Sequence, residues 1–278
     1  MKIPQSQGIL FGHSVKKQEL TPDGIKIEQC SLGLMRQMQR LCSRAVWLPH
    51  AGRYYSCFAT YNGEIIGLIY LATGVFSLKA RDDLLKIPKD PKEKGQALLS
   101  YPDLAICVGV QPLAWYWNLG KLCAMIATGL REEWQTAAEK ELKGIVTTSY
   151  WGRSSQYNRV YQHIGRTKGF GSLHVPDEEI YRMEAFLRNK GVVIKQKTSY
   201  RMKVIQEYWK RQMAWRPGLV SRKVRHGQIR DIYYHAVDKR PMTEIIRAWF
   251  DRWGEPRWQR TRELTAPYQD GITNIGVK

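Results

Sequence analysis

The sequence predicts an α+β fold, a mixed central sheet flanked by helices and followed by a basic C-terminal extension. Three observations predict it. Tyr55–Tyr61 and Ile65–Tyr70 are strand-like runs around Asn62-Gly63, the dipeptide that best tolerates the positive φ angles of a tight hairpin turn. Leu104–Val110 is short and wholly apolar, as a central strand buried on both faces would be, and a long helical pattern follows it. Ile145-Val146-Thr147-Thr148 is a fourth strand-like run, β-branched throughout.

Taken in order, residues 1–26 carry Pro4, Gly8, Gly12, Pro22 and Gly24 and read as a loose arm. From Ile27 to Val46, Leu34, Met38, Leu41 and Ala45 fall on one helical stripe that Pro49 closes. The hairpin comes next, and Gly74–Leu78 reads as an extension of its second strand. Lys79–Lys94 is rich in charge and proline and reads as a surface excursion. Pro112 ends the apolar strand, Leu113–Asn118 is a loop, and Asn118 caps a helix from about Leu119 to Leu142. Ser154 or Ser155 caps a short helix whose apolar face is Tyr157, Val160, Tyr161 and Ile164; Gly165 ends it, and Gly169-Phe170-Gly171 opens another strand.

The charge is the strongest compositional fact. Lys and Arg number 44 against 25 Asp and Glu, a net +19 with a pI near 9.8. Eleven basic residues and one acid, Glu207, lie between Lys195 and Arg230. Tryptophans interleave with arginines again at Trp249, Trp253 and Trp258. Cations neutralise phosphates and flat rings stack on bases, so the expected partner is a polyanion, DNA first and RNA as an alternative. The competing reading is a solvated helix face over core tryptophans. No apolar run approaches the roughly 18 residues of a membrane helix, and no basic segment followed by an apolar stretch opens the chain. The five cysteines form no CxxC pair and are expected as reduced thiols of a cytoplasmic protein. No metal-ligand spacing and no phosphate-binding G-x-x-x-x-G-K-[ST] loop is present.

The order helix, hairpin, buried strand, long helix, strand, short helix, strand resembles the GNAT acetyltransferase fold. Three stretches narrow the resemblance: GVFSLKARDD (Gly74–Asp83); the run Pro102–Trp134 with SYWGRSSQYNRVYQHIGRTKGFG behind it; and VRHGQIRDIYYHAV (Val224–Val237), preceded by YRMKVIQEYWKRQM. Together they resemble the DruA-like proteins of Druantia anti-phage systems and the Mom-type DNA-modification proteins of phages. The resemblance implies a cytoplasmic bacterial or phage protein acting on DNA, through Mom-like modification of the adenine exocyclic amine. The alternative is a non-catalytic DNA-binding component of a phage-defence assembly. Further proteins of a phage or defence operon are the implied partners, and no membrane is.

The implied domains are an arm (1–26), a GNAT-like core (27–190) and a basic, aromatic-rich region (191–278) that meets nucleic acid. The implied donor is acyl-CoA or another activated acyl group, held at Val110, Gln111, Asn118, Gly120 and Lys121. Two departures stand out. Residues 111–120 supply one glycine and a Trp-Tyr-Trp cluster where a pyrophosphate loop is glycine-rich. No aspartate follows Ser149-Tyr150, where Mom-type proteins carry one; the next acid is Asp177. Candidate catalytic residues are Ser149 and Tyr150 at a strand end, Tyr157 and Tyr161 one helical turn apart, and His50; for the tyrosines the alternative is core packing. Candidate nucleic-acid contacts are Arg153, Arg159, Lys195, Lys197, Arg201, Lys203, Arg222, Lys223, Arg225, His226 and Arg230. His163 and His174 are isolated in sequence.

Overall fold

The structure, a computed structural model, describes residues 17–43, 52–149, 154–167, 177–194, 200–212 and 229–264. A seven-stranded mixed sheet runs β1-β2-β3-β4-β5-β7-β6. Its strands are β1 (Ile25–Gln29), β2 (Tyr54–Tyr61), β3 (Glu64–Ala72), β4 (Asp103–Gly109), β5 (Gly144–Thr148), β6 (Gln162–Arg166) and β7 (Asp231–Ala236). Only the β4–β5 pair is parallel. The hairpin turns at Asn62 (φ 51°) and Gly63 (φ 79°) as expected.

Several expectations are corrected. Strand β1 begins inside the expected arm, because Ile25 and Ile27 alternate with Lys26 and Glu28 and meet β2. Helix α1 (Leu32–Cys42) therefore starts later than Ile27, where the Ser31 side chain accepts from the Leu34 N–H. Strand β3 stops at Ala72, and the Val75 N–H turns instead to the Asp103 carboxylate, 2.7 Å away. The supposed excursion folds into helices α2 (Lys79–Leu84) and α3 (Pro91–Leu98). Asp90 caps α3 ahead of a proline in its first turn, where the missing N–H costs nothing.

The loop after β4 is itself a helical turn, α4 (Leu113–Trp117). The long helix is two, α5 (Leu119–Gly129) and α6 (Arg131–Ala138), broken at Leu130. Asn118 marks the α4–α5 boundary in a left-handed conformation and makes no side-chain cap. The helix expected over 157–164 lasts one turn, closed by the Tyr161 N–H on the Tyr157 carbonyl; Ile164 and Gly165 then lie in β6. Pairing with β7 overrides the local helical period there. The strand expected from Gly169 lies outside the described residues.

Strand β7 comes from beyond residue 190 and sits between β5 and β6, so the sheet draws on the stretch assigned to the basic region. One face of the sheet is covered by α5 and α6 with α9 (Met242–Trp249), which packs on α5. Buried there are Trp117, Trp134, Trp249 and Trp258, the last from α10 (Glu255–Thr261), which a π-helical turn, Phe250–Gly254, joins to α9. The other face is covered by α1 over β2–β4 and by α2 against β5–β7. Helices α7 (Asp177–Asn189) and α8 (Tyr200–Gln212) share a separate small core of Ile180, Met183, Leu187, Val204 and Ile205.

Strand β4 is less buried than its composition suggested: Ala105 is exposed and Cys107–Gly109 are half-buried. The cause is the way it parts from β5. The two pair at Asp103 and Val146; further along, side chains join them. The Thr147 hydroxyl donates to the Leu104 carbonyl at 2.9 Å, and the Gln156 amide donates to the Cys107 carbonyl at 2.8 Å. These two side-chain bonds bridge the parting of β4 and β5.

Candidate functional site

The ends of β5, β6 and β7 gather a charged cluster that sequence spacing did not show. Asp231 opens β7 with its side chain only 4% exposed. Its Oδ1 accepts from Arg166 Nε at 3.0 Å and lies 2.8 Å from His163 Nε2, both from β6. The pairing of β6 with β7 sets this arrangement, placing His163 beside Tyr233 and Arg166 beside Asp231. Burial by itself would raise the Asp231 carboxyl; the hydrogen bonds from Arg166 and His163 outweigh it and hold the group below its ordinary value. His163 packs edge-on to the Tyr233 ring. With its Nε2 fixed by a carboxylate, such an imidazole presents Nδ1 with a defined tautomer.

Ser149 follows β5 and is buried, and its N–H donates to the Asp231 carbonyl at 2.9 Å. Arg230 precedes Asp231: its N–H donates to the Thr167 hydroxyl at 2.9 Å and closes the β6–β7 end. Exposed Arg159, at a positive φ of 67°, and exposed Arg166 flank the cluster in sequence.

The tyrosines chosen from sequence are core. Tyr157 and Tyr161 are buried, and the Tyr161 hydroxyl donates to the Ala124 carbonyl at 3.0 Å. Burial, with the Cys107 thiol next in weight, pushes both phenols well above their ordinary range. Neither is placed to exchange a proton with a substrate. Tyr150 and His50 lie outside the described residues, as do Arg153, Lys195, Lys197, Arg222, Lys223, Arg225 and His226. Arg201 is half-buried and Lys203 exposed on α8.

The residues expected to hold a donor do not fit a CoA pyrophosphate, which needs free N–H groups approached closely by phosphate. The Val110 N–H bonds the Ile66 carbonyl, and the Lys121 N–H bonds the Asn118 carbonyl. A side chain at Gly109 would meet the Gly120 nitrogen at 2.8 Å, and one at Gly120 would meet Gln156 Oε1 at 2.8 Å, so this junction is packed solid. Gln111 is exposed and Asn118 half-buried. Lys121 is buried, and its Nζ donates to the carbonyls of Ser155 (2.8 Å), Gln156 (3.2 Å) and Asn158 (2.7 Å). Among the described residues no three His, Cys, Asp or Glu side chains cluster as metal ligands. Nor is any helix there long and apolar enough to cross a membrane.

Fold and site define a basic α+β protein with a carboxylate-held histidine at one end of a mixed sheet. The family model described as Druantia protein DruA matches residues 49–240, and the chain belongs to the DruA family. It is 30% identical over 149 residues to the Druantia protein DruA of Escherichia coli (strain UMEA 4076-1). That match covers 46% of this chain and 36% of the E. coli protein.

Proposed function

We propose that this chain serves in anti-phage defence by engaging DNA, as a component of a Druantia-type system. The observation that carries the reading is the basic end of the sheet: exposed Arg166 and half-buried Arg230 stand there with His163 around the buried Asp231, and exposed Arg159 lies just ahead of β6, in a chain of net charge +19. Family membership supports the defence context. A surface of this kind neutralises phosphates and releases counterions, so binding weakens steeply with salt. Partners from the same defence system belong to this reading. The test is salt-dependent binding of duplex DNA by the full chain, beside an Arg159→Glu/Arg166→Glu variant. A loss of about tenfold or more, with a shallower salt slope, supports the reading; unchanged affinity sinks it.

A second reading, base modification, is favoured by one observation: His163 is held by the carboxylate of Asp231, whose carbonyl accepts from the Ser149 N–H at the end of β5. In that reading the exocyclic amine nitrogen forms an amide bond to the acyl carbon as the bond from that carbon to the donor's leaving group breaks; His163 accepts the proton the amine loses and passes it to the departing group. Asp231 stabilises the imidazolium that results. Reaching such an amine requires a base outside the duplex stack. Nucleoside mass spectrometry on plasmid DNA from cells expressing the chain separates the two readings. An adduct present with the parent chain and absent with His163→Gln would establish the chemistry; unmodified DNA bound tightly by the parent chain would leave binding alone.

A further inference from the structure

Of the tryptophans that alternate with arginines near the C-terminus, Trp249 and Trp258 are spent on the core. Trp253 is not. It is half-buried on the π-helical turn, with the Arg252 guanidinium 4.9 Å and Lys121 Nζ 5.1 Å from its ring centre. One turn on, Arg257 lies 5.0 Å from the ring centre of half-buried Trp115 and donates from Nε to the Trp115 carbonyl at 3.0 Å. The Thr261 hydroxyl, bonded to the Tyr116 carbonyl at 3.1 Å, fixes α10 against α4, so the two stacks keep their spacing. At the other end Lys121 grips the carbonyls of residues 155, 156 and 158, which brings the Trp253 stack next to the segment bearing Arg159. Arg159 and Arg252 both act on the Lys121 charge, consistent with a shared side.

We propose that Trp115 with Arg257, and Trp253 with Arg252, continuing to Arg159, form a track for single-stranded DNA. The inference rests on the DNA reading above and gives it a strand state. Rings and guanidinium planes offer flat faces, and a nucleic acid exposes matching flat faces only where its bases are unpaired. The arginines meet the phosphates between them, and Trp253 and Arg257, which holds the second stack, follow each other by about one helical turn, roughly 5.4 Å along the axis, so neighbouring nucleotides meet successive stacks. A duplex, with its base faces hidden, would use the cations alone.

The experiment is fluorescence anisotropy of the full chain with labelled oligo-dT, and with a duplex and an oligo-U RNA of the same length. The variants are Trp253→Leu, Trp253→Phe, Arg252→Glu and Trp115→Leu. Oligo-dT is expected to bind tighter than the duplex. Trp253→Leu and Trp115→Leu should weaken oligo-dT binding about tenfold while leaving the duplex within about threefold, and Trp253→Phe should keep most of the affinity. Arg252→Glu, at an exposed position, supplies a variant that does not disturb the core. Leucine variants that bind oligo-dT like the parent, or lose oligo-dT and duplex equally, would overturn the track while the DNA reading stands. Preference for oligo-U would replace DNA by RNA. A parent chain that binds none of the three would remove the DNA reading and the track with it.

Discussion

His163 and Asp231 stand on neighbouring antiparallel strands with ring nitrogen and carboxylate 2.8 Å apart, and Arg166 reaches the same oxygen at 3.0 Å. One buried acid thus holds a guanidinium and an imidazole at the sheet's end. Asp231→Asn keeps the shape but removes the charge. It should cost about 1–2 kcal/mol at neutral pH, less than for a fully buried pair because both partners are partly hydrated. The pH dependence follows from the carboxyl lying below its ordinary value of 3.8. The stabilisation is full above that value and is lost as pH falls through the lower folded value. Urea unfolding at pH 7 and near pH 3 checks this: the gap between parent and variant should shrink in acid.

On the opposite face Arg81 is fully buried, with Asp82 Oδ1 2.6 Å from its Nη2, while Lys94 Nζ lies 2.6 Å from the other carboxylate oxygen. Burial raises the Asp82 carboxyl, but the bonds from Lys94 and Arg81 prevail and lower it. Removing the acid strands a buried cation; removing the cation does not strand a comparably buried charge. Asp82→Ala should therefore cost about 3–5 kcal/mol, and Arg81→Met much less. Thermal melts of the two variants decide it. Equal losses would mean that Arg81 matters for packing rather than charge.

Asp103 gives the contrary pH signature. Desolvation pushes its carboxyl up to about 6 from an ordinary 3.8, although the Val75 N–H and Arg81 draw it down. Between those values the folded chain keeps a proton that the unfolded chain has lost, so stability falls as pH rises through the interval. The two unit shift corresponds to an upper limit of about 3 kcal/mol at roughly 1.4 kcal/mol per unit. Asp103→Asn, which still accepts from the Val75 N–H, should flatten the stability profile between pH 4 and pH 7. Denaturant midpoints across that range are the measurement.

The parts of the fold written locally were legible. Asn62-Gly63 announces its hairpin and Ile145–Thr148 its strand, because each depends on neighbours within a turn or a pair of strands. Strand β7 was not: Asp231–Ala236 lies at the end of a basic run, and its place between β5 and β6 is a long-range choice. The candidate site follows that strand. His163 looked isolated, and Asp231 was one acid after a row of cations, until pairing set them side by side. A period-2 reading of Asp231–Ala236, with Ile232 and Tyr233 buried toward opposite faces, was the available signal. Arg81 misled in the same way, since a buried charge and a solvated one look alike in sequence.

Lys121 and Gln156 carry the last prediction. Lys121 Nζ donates to three carbonyls of 155–158, while Gln156 reaches back from the same segment to Cys107 where β4 and β5 part. Among the described residues no backbone ladder ties this segment to β4; these two side chains hold it there, with the Ser154 N–H on the Tyr233 hydroxyl at 3.2 Å. Lys121→Met removes three charge-assisted bonds, keeps the aliphatic stem on Trp253, and should cost about 2 kcal/mol. The effect should be local first: amides of 154–160 should lose hydrogen-exchange protection while β2 and β3 keep theirs. Gln156→Ala should loosen the same amides, because either bond alone leaves one end of the segment untethered. Uniform loss of protection across the sheet in either variant would mean that the segment unfolds only with the whole domain.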